Sequence, residues 1–501
     1  MAVFVTTKQA ARRHGVYAIE RNPPAIVRAT GTSKCYLVGQ FPWGPAQTAF
    51  EPGSMAELIS TVAPAGFDRT GSAYLSMIRK AWPGVLNVVR VLGPAAAVAT
   101  ATINKTGPVA MLTVTAKYPG ATANSFVATT SAATDGDANH FNLKVEITGA
   151  SGTTTEVFEN LNYSGVGADS VPSFVNTLLV GGITKLASGV PLLTTASFTG
   201  GTNGTVTAAE YVGTAGTGDK GFAKLEGLRD VDHVACDDPG NTIRAAVNSG
   251  AVGHAELMKD RMVWICGPTA QSSAAVKIDV ALYRSLYVGY VDAWPSIFDD
   301  VDGTLRQVPP APFAMSVAAQ LSPSTSIAWK DTKVIGLLSG IVSLEVDRGE
   351  AAATNTENGI ITLCREPGGG FSFEAGVNSA APLDPRKRTI TRTRMGLYIA
   401  KSIVTSLRPF TDSPNVPYNQ QDEIQAVEEF MGGLKRNATT DPNNLPHVLD
   451  FDIGDLAAVN NQTDLDNGEF TIPLDAKISS SQEKIFLSLQ YGESVKITAN
   501  L

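Results

Sequence analysis

The chain of 501 residues exceeds the roughly 250 that one hydrophobic core organises, and so predicts about two to four domains. Charged residues make up only 17%, below the usual quarter, which suits a protein whose surface is largely covered by neighbours. A formal charge of -8 excludes the broad basic field of a nucleic-acid binder, so no nucleic-acid partner is expected.

In chain order, residues 2–29 read as an extended arm. Pro23-Pro24 forbids local helix, and Val16, Tyr17, Ile19, Ile26 and Val27 are apolar but too scattered for a core of their own. Cys35 to Gly39 is strand-like, and Pro42 and Gly44 turn the chain after it. Ser54 caps a helix through Met55, Leu58 and Ile59, a second helix covers Ser72 to Ala81, and Val85 to Leu92 is a continuous apolar strand. This order predicts a layered α/β unit. Between Pro94 and Val206 the composition turns to Thr, Ser, Gly, Ala and Asn, with β-like runs at Ala110–Ala116, Phe141–Thr148 and Thr153–Phe158. Phe141, Leu143, Val145 and Ile147 alternate as residues on one buried face do, so this stretch reads as an inserted, mainly β domain.

The α/β pattern returns at Gly221. Strands are expected at Asp230–Cys236, Arg261–Gly267, Leu286–Asp292, Val342–Val346 and Gly359–Arg365. Helices are expected at Ile243–Met258 and Ser272–Ser285 and after Pro309-Pro310. Ile390–Leu407 has the clearest helical period, through Met395, Tyr398, Ile399, Ser402, Ile403 and Leu407. A helix from Gln420 to Leu434 carries Asp422 and Glu423 early and Lys435-Arg436 at its end, matching the helix dipole. Val448–Asp452, Ile485–Tyr491 and Val495–Thr498 close the chain as strands. The fold class is an α/β (α+β) core with an inserted mainly-β domain and extended terminal arms. Its divisions are residues 1–29, 30–93, 94–206, 207–483 and 484–501.

Little of this supports chemistry. Cys35, Cys236, Cys266 and Cys364 are too widely spaced for a zinc cluster or a disulfide framework, and read as reduced, buried thiols of a cytoplasmic product. Arg12, Arg13 and His14 interrupt any leader. No run approaches 18 apolar residues, and even Val334–Val346 carries Glu345, so neither export nor membrane insertion is expected. The five histidines form no HExxH motif, and no serine sits in GxSxG. His233 is the best catalytic candidate, beside Asp230, Asp232, Cys236 and Asp237. Neighbouring strand residues face opposite ways, however, and a strand-end histidine next to an acidic turn is the simpler reading. Gly216-x-Gly218-x-x-Gly221 matches a dinucleotide fingerprint in letters, with Asp237 and Asp238 beyond it. The fingerprint needs a buried strand before and a helix after, and Ala208–Val212 reads instead as a connection out of the β insertion. Gly368-Gly369-Gly370 lacks the lysine and hydroxyl of a phosphate loop, and Asp299, Asp300 and Asp302 lack the calcium ligand ladder. No catalytic residue, metal or cofactor is expected. Arg386, Lys387, Arg388, Arg392, Arg394, Lys401 and Arg408 form a basic cluster in an acidic protein, either ordinary helix solubility or a docking face for an acidic partner.

Several segments, in order, resemble the tail sheath proteins of contractile phage tails, R-type pyocins and related injection machines. They are Tyr36-Leu37-Val38-Gly39-Gln40-Phe41-Pro42-Trp43-Gly44-Pro45, Val85 to Val91, Gly200-Gly201-Thr202-Asn203-Gly204, Phe222 to Glu226 with Val231 to Val234, Val308 to Phe313, Ala328-Trp329-Lys330, and Thr389 to Leu407. The 94–206 insertion lies outside the likeness. The resemblance implies a subunit that polymerises helically with itself around an inner tail tube, meets baseplate and tail terminator proteins, and contracts to drive the tube through the host envelope. Its place would be the virion tail, after assembly in the host cytoplasm. It further implies terminal arms that add strands to neighbouring subunits, here through Val16, Tyr17, Ile19, Ile26 and Val27, and through Ile485, Leu487, Leu489, Tyr491, Val495 and Ile497. Arg388, Arg392, Arg394 and Lys401 are the tube-facing candidates. The alternatives are another self-assembling virion component, such as a capsid or baseplate protein, or a nucleotide-binding enzyme.

Overall fold

The computed structural model describes residues 3–5, 17–19, 33–67, 86–105, 107, 109–149, 152–162, 176–187, 191–298, 303–328, 340–366, 369–383, 388–410, 415–440, 448–478, 486–490 and 496–500. The expected Ser72–Ala81 helix, the acidic run at 299–302 and the Trp329-Lys330 turn lie outside them. Two compact units emerge: residues 32–390, and residues 1–31 together with 391–501.

In the first unit, the short apolar runs that carry no polar alternation become strands buried on both faces. Every residue of Cys35–Gly39, Leu86–Arg90, Met262–Cys266 and Val288–Asp292 is buried, as a parallel sheet covered on both sides requires. The eight strands run in the order Phe371–Phe373, Ile360–Arg365, Val288–Asp292, Met262–Cys266, His233–Cys236, Cys35–Gly39, Leu86–Arg90, Ala49–Phe50. The inner six are parallel, and the two short edges are antiparallel. The Asn241–Met258 and Ser273–Val280 helices make the crossovers. Ala311–Gln320 packs across the Cys35, His233, Met262 and Val288 strands, and from Ala311 to Ala319 all its residues are buried, as expected of a helix apolar all round. From Cys35–Gly39 the chain steps one way to Leu86–Arg90 and later the other way to His233–Cys236. The topological switch point therefore lies between Cys35–Gly39 and His233–Cys236.

The insertion is two antiparallel sheets. One runs Gly152–Asn162, His140–Gly149, Val127–Ala132, Thr195–Ser197; the other runs Val180–Lys185, Ala110–Ala116, Thr100–Asn104. Phe141, Leu143, Val145 and Ile147 are all buried in their shared core, so the alternation in the sequence does mark one buried face. Core and insertion are continuous: Trp43 and Phe67, from before the insertion, belong to the same apolar cluster as Phe126, Leu143 and Phe198.

Helix ends depart from expectation in two places. The Ser272-capped helix stops at Val280 rather than near Ser285, and beyond its end Arg284 donates to the carbonyls of Asn358 (2.5 Å) and Ser379 (2.6 Å). The helix expected over Gln420–Leu434 runs from Pro417 to Thr440. Proline is well suited to a first helical turn, and the extra length leaves Asp422, Glu423 and Lys435 inside the helix rather than at its charged ends.

In the second unit, the Ile390–Leu407 and Pro417–Thr440 helices and the Val448–Ile453/Leu474–Ile478 hairpin share a core of Met395, Ile399, Val427, Met431, Leu434 and Val448. Val3–Val5 pairs in parallel with Tyr17–Ile19, and Phe486–Gln490 pairs antiparallel with Lys496–Asn500.

Candidate functional site

In open α/β sheets, ligands bind outside the carboxyl ends of the strands at the switch point. Here that position is filled by the chain itself. Asp237, one residue past its strand and 1% exposed, accepts from the Gln40 amide (2.7 Å) and from the Tyr211 hydroxyl (2.7 Å). The Gln40 side chain in turn donates to Tyr211 Oη at 3.2 Å. A Cβ on Gly39 would stand 2.6 Å from Asp237 Cγ, so only glycine lets the carboxyl close over the strand end. Burial pushes the Asp237 carboxyl up to about 7, against the pull of its two donors.

The rest of the rim is tiled in the same way. Arg244, 1% exposed, pairs with Asp238, meets Cys266 Sγ at 3.6 Å and lies over the Trp294 ring at 4.7 Å. Trp294 Nε1 donates to the Gly267 carbonyl at 3.1 Å. Arg348 grips Asp292 through two hydrogen bonds of 2.8 and 3.0 Å, donates to the Gln271 carbonyl at 2.9 Å, and Asn355 joins Asp292 at 3.3 Å. Ala270 and Ala293, in the turns after two strands, hold φ of 59° and 70°, a region costly for alanine. The dinucleotide reading fails on geometry. Ala208–Val212, which precedes Gly216-x-Gly218-x-x-Gly221, is a helix with a Thr207–Glu210 capping box, and a 3-10 turn follows. His233 is buried, and Trp264 Nε1 donates to its Nδ1 at 3.3 Å. Among the described residues, no group of three or more His, Cys, Asp or Glu side chains is placed to hold a metal, and no helix is long and apolar enough to cross a membrane.

A second constellation joins core to insertion. Arg90, 1% exposed, donates to the carbonyls of Phe41 (2.8 Å), Gly44 (2.9 Å) and Pro42 (3.2 Å) on the core side and of Pro119 (2.8 Å) on the insertion side. Burial lowers its guanidinium to about 10. Trp43 packs in tilted and edge-on contacts among Phe67, Tyr118 and Phe126 at 5.2–5.4 Å between centroids and donates to the Leu178 carbonyl at 3.0 Å. Both residues lie in the quoted sequence segments, but reading those as turn and strand missed their role. A charge ending an apolar strand was the available signal.

Of the tube-facing candidates, Arg394 is 4% exposed, and Arg388, Arg392 and Lys401 are partly covered; Arg392, Arg394 and Lys401 share the Ile390–Leu407 helix. Among the arm residues, Tyr17 and Ile19 lie in one short strand, Leu487 and Leu489 in another, and Ile497 in a third. Val16, Ile26, Val27, Ile485, Tyr491, Val495, Arg386 and Lys387 lie outside the described residues.

No family model and no curated protein matches the sequence. Solved structures do match its fold. A sheath tail protein of Listeria innocua is 15% identical over 82% of this chain and 86% of its own, with a TM-score of 0.58. A sheath tail protein of Desulfitobacterium hafniense is 15% identical over 88% and 93%, with a TM-score of 0.59. The helical sheath of the anti-feeding prophage, in its contracted state, is 12% identical over 96% and 99%, with a TM-score of 0.55. This chain carries the fold of the contractile-tail sheath proteins.

Proposed function

We propose that this chain is a structural subunit of a contractile tail sheath, not an enzyme. It polymerises helically with itself around an inner tube, engages baseplate and terminator proteins at the ends, and contracts to drive the tube through a host envelope. The carrying observation is the extent of the likeness: three sheath structures match over 82%, 88% and 96% of the chain. The rim supports the same reading, since Arg348 pairs with Asp292 and Arg244 with Asp238 across the strand ends. Segments 2–29 and 484–501 add strands to neighbouring copies, and the basic helix from Ile390 to Leu407 meets the tube. A heterologous contact that does not close on itself builds the helix. A component of the baseplate is the second reading, favoured by a match over 97% of the chain to an anti-feeding prophage baseplate structure with a TM-score of 0.53.

Negative-stain microscopy of the purified chain, with and without its tube protein, separates the two. Hollow helical tubes of indefinite length support the sheath, closed rings of fixed size support the baseplate, and monomers under both conditions contradict both.

A further inference from the structure

The insertion leaves the core through the Leu86–Arg90 strand and returns through 203–213, and the two connections are fastened by different chemistry. The outgoing one is held by Arg90, whose charge does not change across the ordinary pH range. The returning one is held by Asp237. Its carboxyl ties three separate segments: the end of the Cys35–Gly39 strand through the Gln40 amide, its own strand end, and the Ala208–Val212 helix through Tyr211. Tyr211 is fully buried, and its helix begins at the Thr207–Glu210 capping box and ends at Gly213.

We propose that the Thr207–Gly213 segment is a proton-controlled latch, closed over a neutral Asp237 and released when that carboxyl ionises.

The groups facing Asp237 leave an anion poorly compensated. Arg244, from the Asn241–Met258 helix, is engaged with Asp238, whose own carboxylate opposes a second negative charge. Cys236, on the same strand, is a buried thiol pushed well up by burial, and so stays neutral. Tyr211 likewise keeps its proton, and Glu210 beside it is occupied by Thr207 and Lys220. The Ala311–Gln320 helix, packed on this strand, carries no charged side chain. The two donors offered, the Gln40 amide and the Tyr211 hydroxyl, do not offset the lost hydration, which is why the carboxyl titrates at about 7 while buried rather than at its ordinary 3.8. Gly39 closes its strand and Gln40 directly follows it, so the cover that moves in this proposal is the short helix bearing Tyr211. An ionised carboxylate regains water only when that cover lifts.

Linkage fixes the form of the response. The open state ionises at the ordinary carboxylate value and the closed state at about 7. Opening therefore grows about tenfold per pH unit from roughly 4 to 7 and is level above that.

Hydrogen–deuterium exchange of the full-length chain, measured from pH 4.5 to 8.5 and divided by the intrinsic rate at each pH, reads this directly on peptides spanning 207–213. Wild type is expected to show the tenfold-per-unit rise and a break near pH 7. Asp237→Asn keeps an acceptor for Gln40 and gains a donor for Tyr211, and its exchange is expected to be independent of pH. Tyr211→Phe removes a donor that favours the anion, so its break moves above pH 7, a readout that stands even where the asparagine variant folds poorly. A flat wild-type profile, the same slope in Asp237→Asn, or an unmoved break in Tyr211→Phe overturns the latch. None of these outcomes depends on polymerisation.

Discussion

Arg90 meets the burial of a full positive charge with four backbone carbonyls, contributed from both sides of the core–insertion junction. Replacing it with Met removes the donors and strands four acceptors. Arg90→Met should therefore cost about 2–4 kcal/mol in denaturant unfolding, and Arg90→Lys, with a rounder donor set, should recover only part. His254 is a different kind of burial. It is 5% exposed, stacks on Phe222 at 5.9 Å, and neither ring nitrogen has a hydrogen-bond partner among the described residues. Burial first, and then the nearby Arg261 charge, lower its pKa to about 3. The folded state therefore disfavours the imidazolium, and the contribution is complete above the ordinary value of 6.5 and lost as pH falls towards 3, by about 1.4 kcal/mol per unit. Asp237 has the opposite sign: its raised pKa contributes fully below 3.8 and is lost as pH rises to about 7. Between about 4 and 6.5 the two slopes cancel in the wild type. His254→Leu should break the balance and gain stability over wild type, by a growing margin, as pH falls below 6.5; a constant difference across that range would contradict it.

At the scale of elements, the rim closes the strand ends with the chain's own side chains. Asp292, the last residue of the Val288–Asp292 strand, and Arg348, from a loop, are each under a tenth exposed and close that strand end. Removing one partner leaves a buried charge alone, so Asp292→Asn should cost about 3–5 kcal/mol, while a paired replacement of both by apolar residues should cost much less. Denaturant unfolding of both variants checks this. What the sequence made legible follows the same physics. A fully buried strand such as Met262–Cys266 announces itself as an uninterrupted apolar run, and Ala110–Ala116 and Ile390–Leu407 fall where alternation and helical period place them. Thr100–Asn104, Val127–Ala132 and Val180–Lys185 were not legible, because Thr, Ala and Gly satisfy strand and loop equally well until partner strands choose. Nor was the rim network legible: Asp237, Tyr211 and Gln40 stand far apart in sequence, and only the closure of the sheet brings them together.

At the scale of the whole molecule, the two compact units divide at residues 31/32 and 390/391, while the sequence suggests divisions at 29/30, 93/94, 206/207 and 483/484. Trp43 and Arg90 account for the continuity of core and insertion, which composition alone suggested were separate. The terminal segments pair as two-stranded ribbons within one chain, and isolated ribbons of that size are marginal in water. Pairing across copies would give them the further strands they need. Chains lacking 2–29 or 484–501 should accordingly remain folded by circular dichroism yet fail to assemble, and unchanged polymer from either deletion would rule out the arms as couplers. The most direct test of the account is a high-resolution cryo-microscopy map of the assembled protein. It should show a helical tube in which Phe486–Gln490 or the N-terminal strands hydrogen-bond to adjacent copies. A polymer whose chain ends fold only onto their own molecule, with no strand crossing between subunits, would contradict it.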